Sequence, residues 1–429
     1  MNRVTTTGPP LAIKGGPKTI DTEEPDLFKW PIVTEEDERA ILGVLHTASM
    51  SQKGTTAEFE VKWGEFLGTQ YNLGYCNGTA AIMGAMYGAG LRRGDELIAP
   101  SLTYWATAMQ AMALGATPVF ADVERHSLCI DPNDIEHRIT PRTKAIIVVH
   151  LCGYPCDMDP ILQIARRHNI KVIEDASHCH GALYKGRKVG ALGDVSAMSM
   201  MSRKAFAIGE AGMLCTNDRK IMEYAAAFGH YQRLPEIVSE PELKKLAGIP
   251  LGGYKFRMCQ WSSAMGLTQL KHYPQRIVEI QKAMNRFWDL LEDVPGVAAH
   301  RPPKDSGSTM GGWYHPLGHY VPDELGGLPA DKFVEALRAE GVPCSAGGSS
   351  SLHLHPVMND ADVYGDGKPT RIAFSDRDLR QPPGSLPVTE SLEGLVLGMP
   401  WFKHDWPESI ERYAAAYRKV AEHANELMA

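Results

Sequence analysis

From Gln70 to Cys215 the chain alternates short β-branched runs with segments of helical period, and no other feature constrains its fold as strongly. Strands that each need a helical crossover before the next strand build a mostly parallel sheet wrapped by helices. The expected strands are residues 96–99, 117–121, 144–149, 171–174 and 195–199. Between them, 79–90, 103–114 and 158–169 repeat apolar residues every three or four positions, as crossover helices do. After Cys215 the texture changes. A helix at 218–230 precedes a polar, Pro-containing stretch and a long helical segment from 260 to 291. A strand at 313–321, a helix at 329–340 and a terminal helix near 407–427 complete a smaller α+β unit. A chain of 429 residues is expected to form two domains. The long helix is the expected junction, with 1–265 a large ligand-binding domain carrying an N-terminal arm and 266–429 a small C-terminal domain. The loop-rich stretch 346–381 is expected to shape a substrate mouth.

Hydrophobic residues at 44% and charged residues at 22% are globular values, which excludes disordered and fibrous architectures. A net charge of -7 with interspersed signs provides no basic stripe, so nucleic acid and membrane are not expected partners and a small molecule is. The first ten residues lack an apolar signal core, and no run of roughly eighteen apolar residues occurs, which points to the cytoplasm. Eight cysteines are too sparse for a disulfide scaffold, and most read as buried thiols. Cys152, Cys156, Cys179, His178 and His180 form no C-x-x-C pair, so no metal site is expected.

The chemistry concentrates at strand ends. Asp175 closes the run Val172-Ile-Glu-Asp175, and Lys204 follows the next strand, flanked downstream by Gly209 and Gly212. An acid so placed can keep a pyridine nitrogen protonated, while the lysine can condense with an aldehyde, the two requirements of a pyridoxal phosphate (PLP) site. His178, three residues after Asp175, is placed for the phenolic oxygen of such a ring or for the backbone. Cys76-Asn77-Gly78-Thr79 ends a strand and opens a helix, where free N–H groups favour a phosphate. Gly78 permits close approach, Thr79 adds a hydroxyl, and Ser199 can donate to the same group. Tyr104 and Trp105 both qualify as stacking aromatics, with core packing the alternative that best suits Trp105. Arg203, Arg257, Arg377 and Arg380 can each meet a carboxylate or diphosphate, or stand in solvent. The absent G-x-G-x-x-G argues against a nicotinamide-dependent oxidoreductase.

With Leu11-Ala-Ile-Lys-Gly-Gly-Pro17, Asn77-Gly-Thr-Ala, Gly94-Asp-Glu-Leu-Ile-Ala-Pro100, Glu174-Asp-Ala-Ser-His178, Gly209-Glu-Ala-Gly212, Leu386-Pro-Val-Thr-Glu390 and Leu397-Gly-Met-Pro400, the chain resembles the DegT/StrS sugar aminotransferases. The resemblance implies an α/β fold of type I, the aspartate aminotransferase fold, with PLP and pyridoxamine phosphate as cofactor forms. It makes Lys204 the Schiff-base lysine, Asp175 the pyridine partner and His178 a contact near the phenolic oxygen. It assigns the phosphate to Gly78, Thr79 and Ser199, and stacking to Tyr104 rather than Trp105. It implies a homodimer with shared active sites, Lys255 reaching from one subunit into the other, and His353 near the substrate. The implied reaction is ping-pong transfer of an amino group from L-glutamate or L-glutamine to a ketosugar or ketocyclitol. Related deoxysugar dehydratases carry histidine where this chain has Lys204, so the lysine favours amino transfer over dehydration or a regulatory PLP-binding role.

Overall fold

In the computed structural model, residues 9–428 are described except 52, 231, 232, 349, 350, 374, 376 and 377. The first eight residues of the stretch read for a leader lie outside that set, as does Arg377. Seven strands form the main sheet: β1 Tyr71–Tyr75, β2 Glu96–Pro100, β3 Thr117–Ala121, β4 Thr143–Val149, β5 Lys171–Asp175, β6 Val195–Ser199 and β7 Gly212–Thr216. Their spatial order is β1-β7-β6-β5-β4-β2-β3. Every pair from β6 to β3 is parallel, whereas β7 runs antiparallel to both β6 and β1. All five residues of β2, β3 and β7 are buried, which is why these strands read as nearly continuous apolar runs.

Crossover helices α1 Gly78–Gly88, α2 Ala106–Ala113, α3 Pro132–Arg138 and α4 Met158–His168 connect the parallel strands. Helix α5, Arg219–Gly229, follows β7 with Asp218 as its cap, accepting from the Lys220 N–H at 2.8 Å. Helix α6, Gln260–Leu290, is 31 residues long and so spans about 46 Å. Up to its middle turns it places Tyr273 and Ile277 in the apolar cluster that includes Phe59, Trp63 and Phe206 beside the main sheet. Its second half places Ile280, Met284, Phe287 and Trp288 in a separate cluster with Phe333, Phe402 and Tyr417. That second cluster surrounds a smaller antiparallel sheet of Val297–Ala299, Leu317–Tyr320, Val396–Gly398 and Ser345–Ala346, in that spatial order.

The run expected as a strand at 313–321 is strand only over Leu317–Tyr320. Trp313 and His315 adopt left-handed φ values of 54° and 49°, incompatible with a pleated ladder. The helix expected from 103 starts at Ala106, because Thr103 to Trp105 turn away from the strand end first. Helix Pro407–Glu422 breaks at His423 before a last turn, Ala424–Leu427. Among the described residues no helix is long and apolar enough to cross a membrane, and the eight cysteines are unpaired.

Candidate active site

Strands β1, β2, β4, β5 and β6 end on the same edge of the sheet, and a cavity of about 510 Å³ opens there. Its wall includes Gly78, Thr79, Tyr104, Asp175, His178, Ser199 and Lys204, so seven of the residues expected from sequence converge. At the β1 end, the Asn77 side chain caps α1 by accepting the Ala80 N–H at 2.8 Å. The N–H groups of Gly78 and Thr79, one turn too early for an intrahelical acceptor, are left for a ligand. The helix start presses hard on the sheet. A Cβ at Gly78 would sit 2.5 Å from Ser199 Cβ, and one at Gly212 would sit 2.4 Å from the Asn77 carbonyl oxygen. Both glycines are therefore required for the helix end and strand end to form one cradle.

Alternation along β5 sends its two terminal acids to opposite faces. Glu174, fully buried, turns away and accepts from the N–H groups of Gly190, Leu192 and Gly193 at 2.7–2.8 Å, anchoring that loop. Asp175 faces the cavity at 5% exposure. It accepts the Thr107 hydroxyl at 2.7 Å and the Ser177 N–H at 3.2 Å, and Thr107 contacts the Thr103 hydroxyl at 3.0 Å. Those bonds fix the carboxylate while leaving acceptor capacity for a further donor. His178 accepts the Cys152 N–H on Nδ1 at 3.2 Å, which places the proton of the neutral ring on Nε2. Burial, reinforced by Lys204 and His315, holds His178 well below the usual histidine range, so it is a neutral donor.

Lys204 is 9% exposed. Burial lowers its amine to about 8, and the Asp175 carboxylate opposes that shift. A lysine in this range exchanges its proton near neutral pH, which an ordinary surface lysine does not. Its Nζ lies 4.2 Å from the centroid of the Tyr314 ring, and its carbonyl accepts the Trp30 indole N–H at 2.8 Å.

Other expectations fare differently. Tyr104 lines the cavity and Trp105 does not, yet Trp105 is 45% exposed rather than packed in the core. Lys255 is exposed and outside the wall of this cavity. Arg257, two residues on, lines an adjoining space of about 480 Å³ that shares Glu210 with the first. The structure does not bring His353 to the cavity wall. It is fully buried, with Nδ1 at 2.7 Å from Ser101 Oγ and Nε2 at 3.1 Å from Glu390 Oε1, which ties a C-terminal loop to the end of β2. Arg203 lies outside the wall, and Arg380 is paired with Asp378 at 2.9 Å. The described part of 346–381 supplies Gly347, Gly348, Ser351 and Leu354 to a separate cavity of about 670 Å³ rather than to that of Lys204. Tyr314, His315 and Cys152 also line the wall and were not expected there.

A buried carboxylate, a desolvated lysine, a glycine-built N–H cradle and an exposed aromatic face match what PLP needs for its ring nitrogen, aldehyde, phosphate and ring plane. Comparison with known proteins gives the same result. The DegT/DnrJ/EryC1/StrS aminotransferase family profile matches residues 31–394. An L-glutamine:scyllo-inosose aminotransferase of Streptomyces griseus is 30% identical over 435 residues, covering 97% of this chain and 99% of that protein. The spore coat polysaccharide biosynthesis protein SpsC of Bacillus subtilis is 29% identical over 376 residues, covering 85% of this chain and 92% of that protein. Among solved structures, DesI in the presence of its TDP-sugar product superposes with a TM-score of 0.78 at 28% identity, covering 97% of this chain and 98% of that one. The chain belongs to the DegT/DnrJ/EryC1/StrS aminotransferase family and is a PLP-dependent aminotransferase of fold type I.

Proposed function

We propose that this enzyme transfers the amino group of L-glutamine or L-glutamate to a ketosugar or ketocyclitol, with a ketocyclitol favoured. The observation that carries the reading is Lys204, a buried amine near pH 8 in the same cavity as Asp175 and the N–H cradle. The L-glutamine:scyllo-inosose aminotransferase, matched over 97% of this chain, supports the cyclitol.

When bound, PLP supplies an aldehyde that accepts the amino group and a ring that absorbs electron density from the reacting carbon. Gly78 and Thr79 N–H groups, with the Thr79 and Ser199 hydroxyls, would hold the phosphate. Asp175, oriented by Thr107 and Ser177, would keep the ring nitrogen protonated. Tyr104 would cover one face of the ring, and His178 Nε2–H would donate toward its phenolic oxygen. Lys204 Nζ would carry the proton between the substrate carbon and the cofactor carbon. Lys255, exposed and outside its own cavity wall, would serve the neighbouring subunit of a homodimer. Light scattering on the eluting protein should give twice the chain mass, and a purely monomeric peak would remove Lys255 from the site.

The reaction itself is tested with L-glutamine carrying ¹⁵N on its α-amino group and an inosose as acceptor. Label is expected in an aminocyclitol, together with the oxo acid amide. An acceptor that loses a hydroxyl without gaining label would replace transamination with dehydration.

A further inference from the structure

We infer that Tyr314 is a positioning residue for the reacting amine: the face of its ring holds the Lys204 ammonium and sets the pH at which Nζ gives up its proton. The inference rests on the proposed role of Lys204 and adds a residue that the motifs around it do not contain. An ammonium near an aromatic face is attracted by the ring's negative quadrupole, more strongly when water is excluded. Here Nζ is 4.2 Å from the ring centroid and the lysine is 9% exposed. Burial raises the Tyr314 phenol above its ordinary value, so the ring is neutral and its face, not a phenolate charge, meets the amine.

The remaining groups near Nζ sharpen the point. Cys152 stays a thiol, pushed up to about 12 by burial, and burial lowers both His178 and His315, which are therefore neutral. Asp175 and Glu210 are the carboxylates in the described cavity wall, and of these Asp175 is the one that favours the Lys204 cation. The ring thus supplements a single anion in offsetting desolvation.

The ring's placement is built, not incidental. Tyr314 stands between Trp313 and His315, both left-handed at φ of 54° and 49°, a conformation that bulky residues keep only when their surroundings impose it. The surroundings do so. Trp401 donates its indole N–H to the Gly312 carbonyl at 3.0 Å and meets the Tyr314 ring edge-on at 5.9 Å and 90°. On the other flank, the His178 ring lies 4.6 Å from that of Tyr314. Trp30 packs 6.0 Å from Trp401 and holds the Lys204 carbonyl, so the two indoles fix amine and ring relative to each other.

The test uses full-length protein loaded with pyridoxamine phosphate, in which the lysine is not tied to the cofactor. Trace acetic anhydride labels amines in proportion to their unprotonated fraction, and mass spectrometry of the Lys204 peptide across pH reads that fraction without any turnover. Tyr314→Leu is expected to move the Nζ midpoint down by about half to one and a half pH units. Tyr314→Phe, which keeps the face, should leave it in place. An unshifted midpoint in the leucine variant, or an equal shift in the phenylalanine variant, would overturn the inference. Tyr314→Met serves in place of leucine if the latter does not fold or load, as judged by melting and bound-cofactor absorbance. Because labelling does not depend on amino transfer, failure here is distinct from failure of the proposed reaction.

Discussion

Substituting Lys204 with alanine or methionine is expected to abolish turnover, by at least about 10²–10⁴-fold, the range for losing a positioned general base alone. The visible absorbance of covalently held PLP should vanish with it. A variant that kept both the absorbance and the turnover would reject the assignment of the reactive amine. Stability should move the other way. An amine whose folded value is about 8, against an unfolded value near 10.5, is bound by fewer protons in the fold than in the unfolded chain between those limits. Stability is therefore lost as pH falls from about 10.5 toward 8, and the deficit persists at neutral pH at on the order of 3 kcal/mol. Lys204→Met, which keeps the stem and removes the amine, should raise the melting temperature of the cofactor-free protein at neutral pH. A lysine that merely packs would not give lower activity and higher stability together, a combination typical of residues retained for function.

Acid is expected to unfold the protein at unusually mild pH. His180, His230 and His300 are all within 2% of complete burial, and burial lowers each to about 3. The same residues in an unfolded chain take up protons near pH 6.5. The unfolded state thus binds more protons from about pH 6.5 down to 3, and stability falls throughout that window. Each histidine costs on the order of several kcal/mol at the lower limit, against roughly 5–15 kcal/mol for a whole domain. Ellipticity followed against pH should show loss of structure well above the carboxylate range. His180 allows a specific check, because its ring is buried between Trp63 and Phe206, 6.1 and 6.3 Å away. His180→Leu should shift the acid midpoint to lower pH, and an unchanged midpoint would remove this histidine from the account.

What could be read from the chain follows from where each piece of information resides. Strands β2 to β6 announced themselves because both faces are buried and the residues are β-branched or apolar. Strand β1, Tyr-Asn-Leu-Gly-Tyr, carries a glycine and an asparagine and was read only from the Cys76–Thr79 turn that ends it, while β7, which begins with glycine, was not read as a strand. The cradle, the acid and the lysine were legible because each lies at or shortly after the end of a strand, where chemistry and local conformation coincide. Tyr314 was not, since the run from Trp313 to Val321 reads as a strand and two left-handed residues leave no mark in a hydropathy pattern. His353 lies outside the cavity wall, and its surroundings were illegible for the complementary reason. Its partners, Ser101 and Glu390, lie 252 and 37 residues away, and only the folded chain shows that both ring nitrogens are already occupied.

The two indole hooks carry a consequence for biosynthesis. Trp30 grips the backbone at Lys204 and Trp401 grips it beside Tyr314, so ribosomal synthesis delivers the second hook 371 residues after the first. A nascent chain long past residue 204 still lacks half of its catalytic bracing. A truncation just before residue 401 should therefore leave Lys204 and its Trp30 contact present while the turn that carries Tyr314 loses its indole brace.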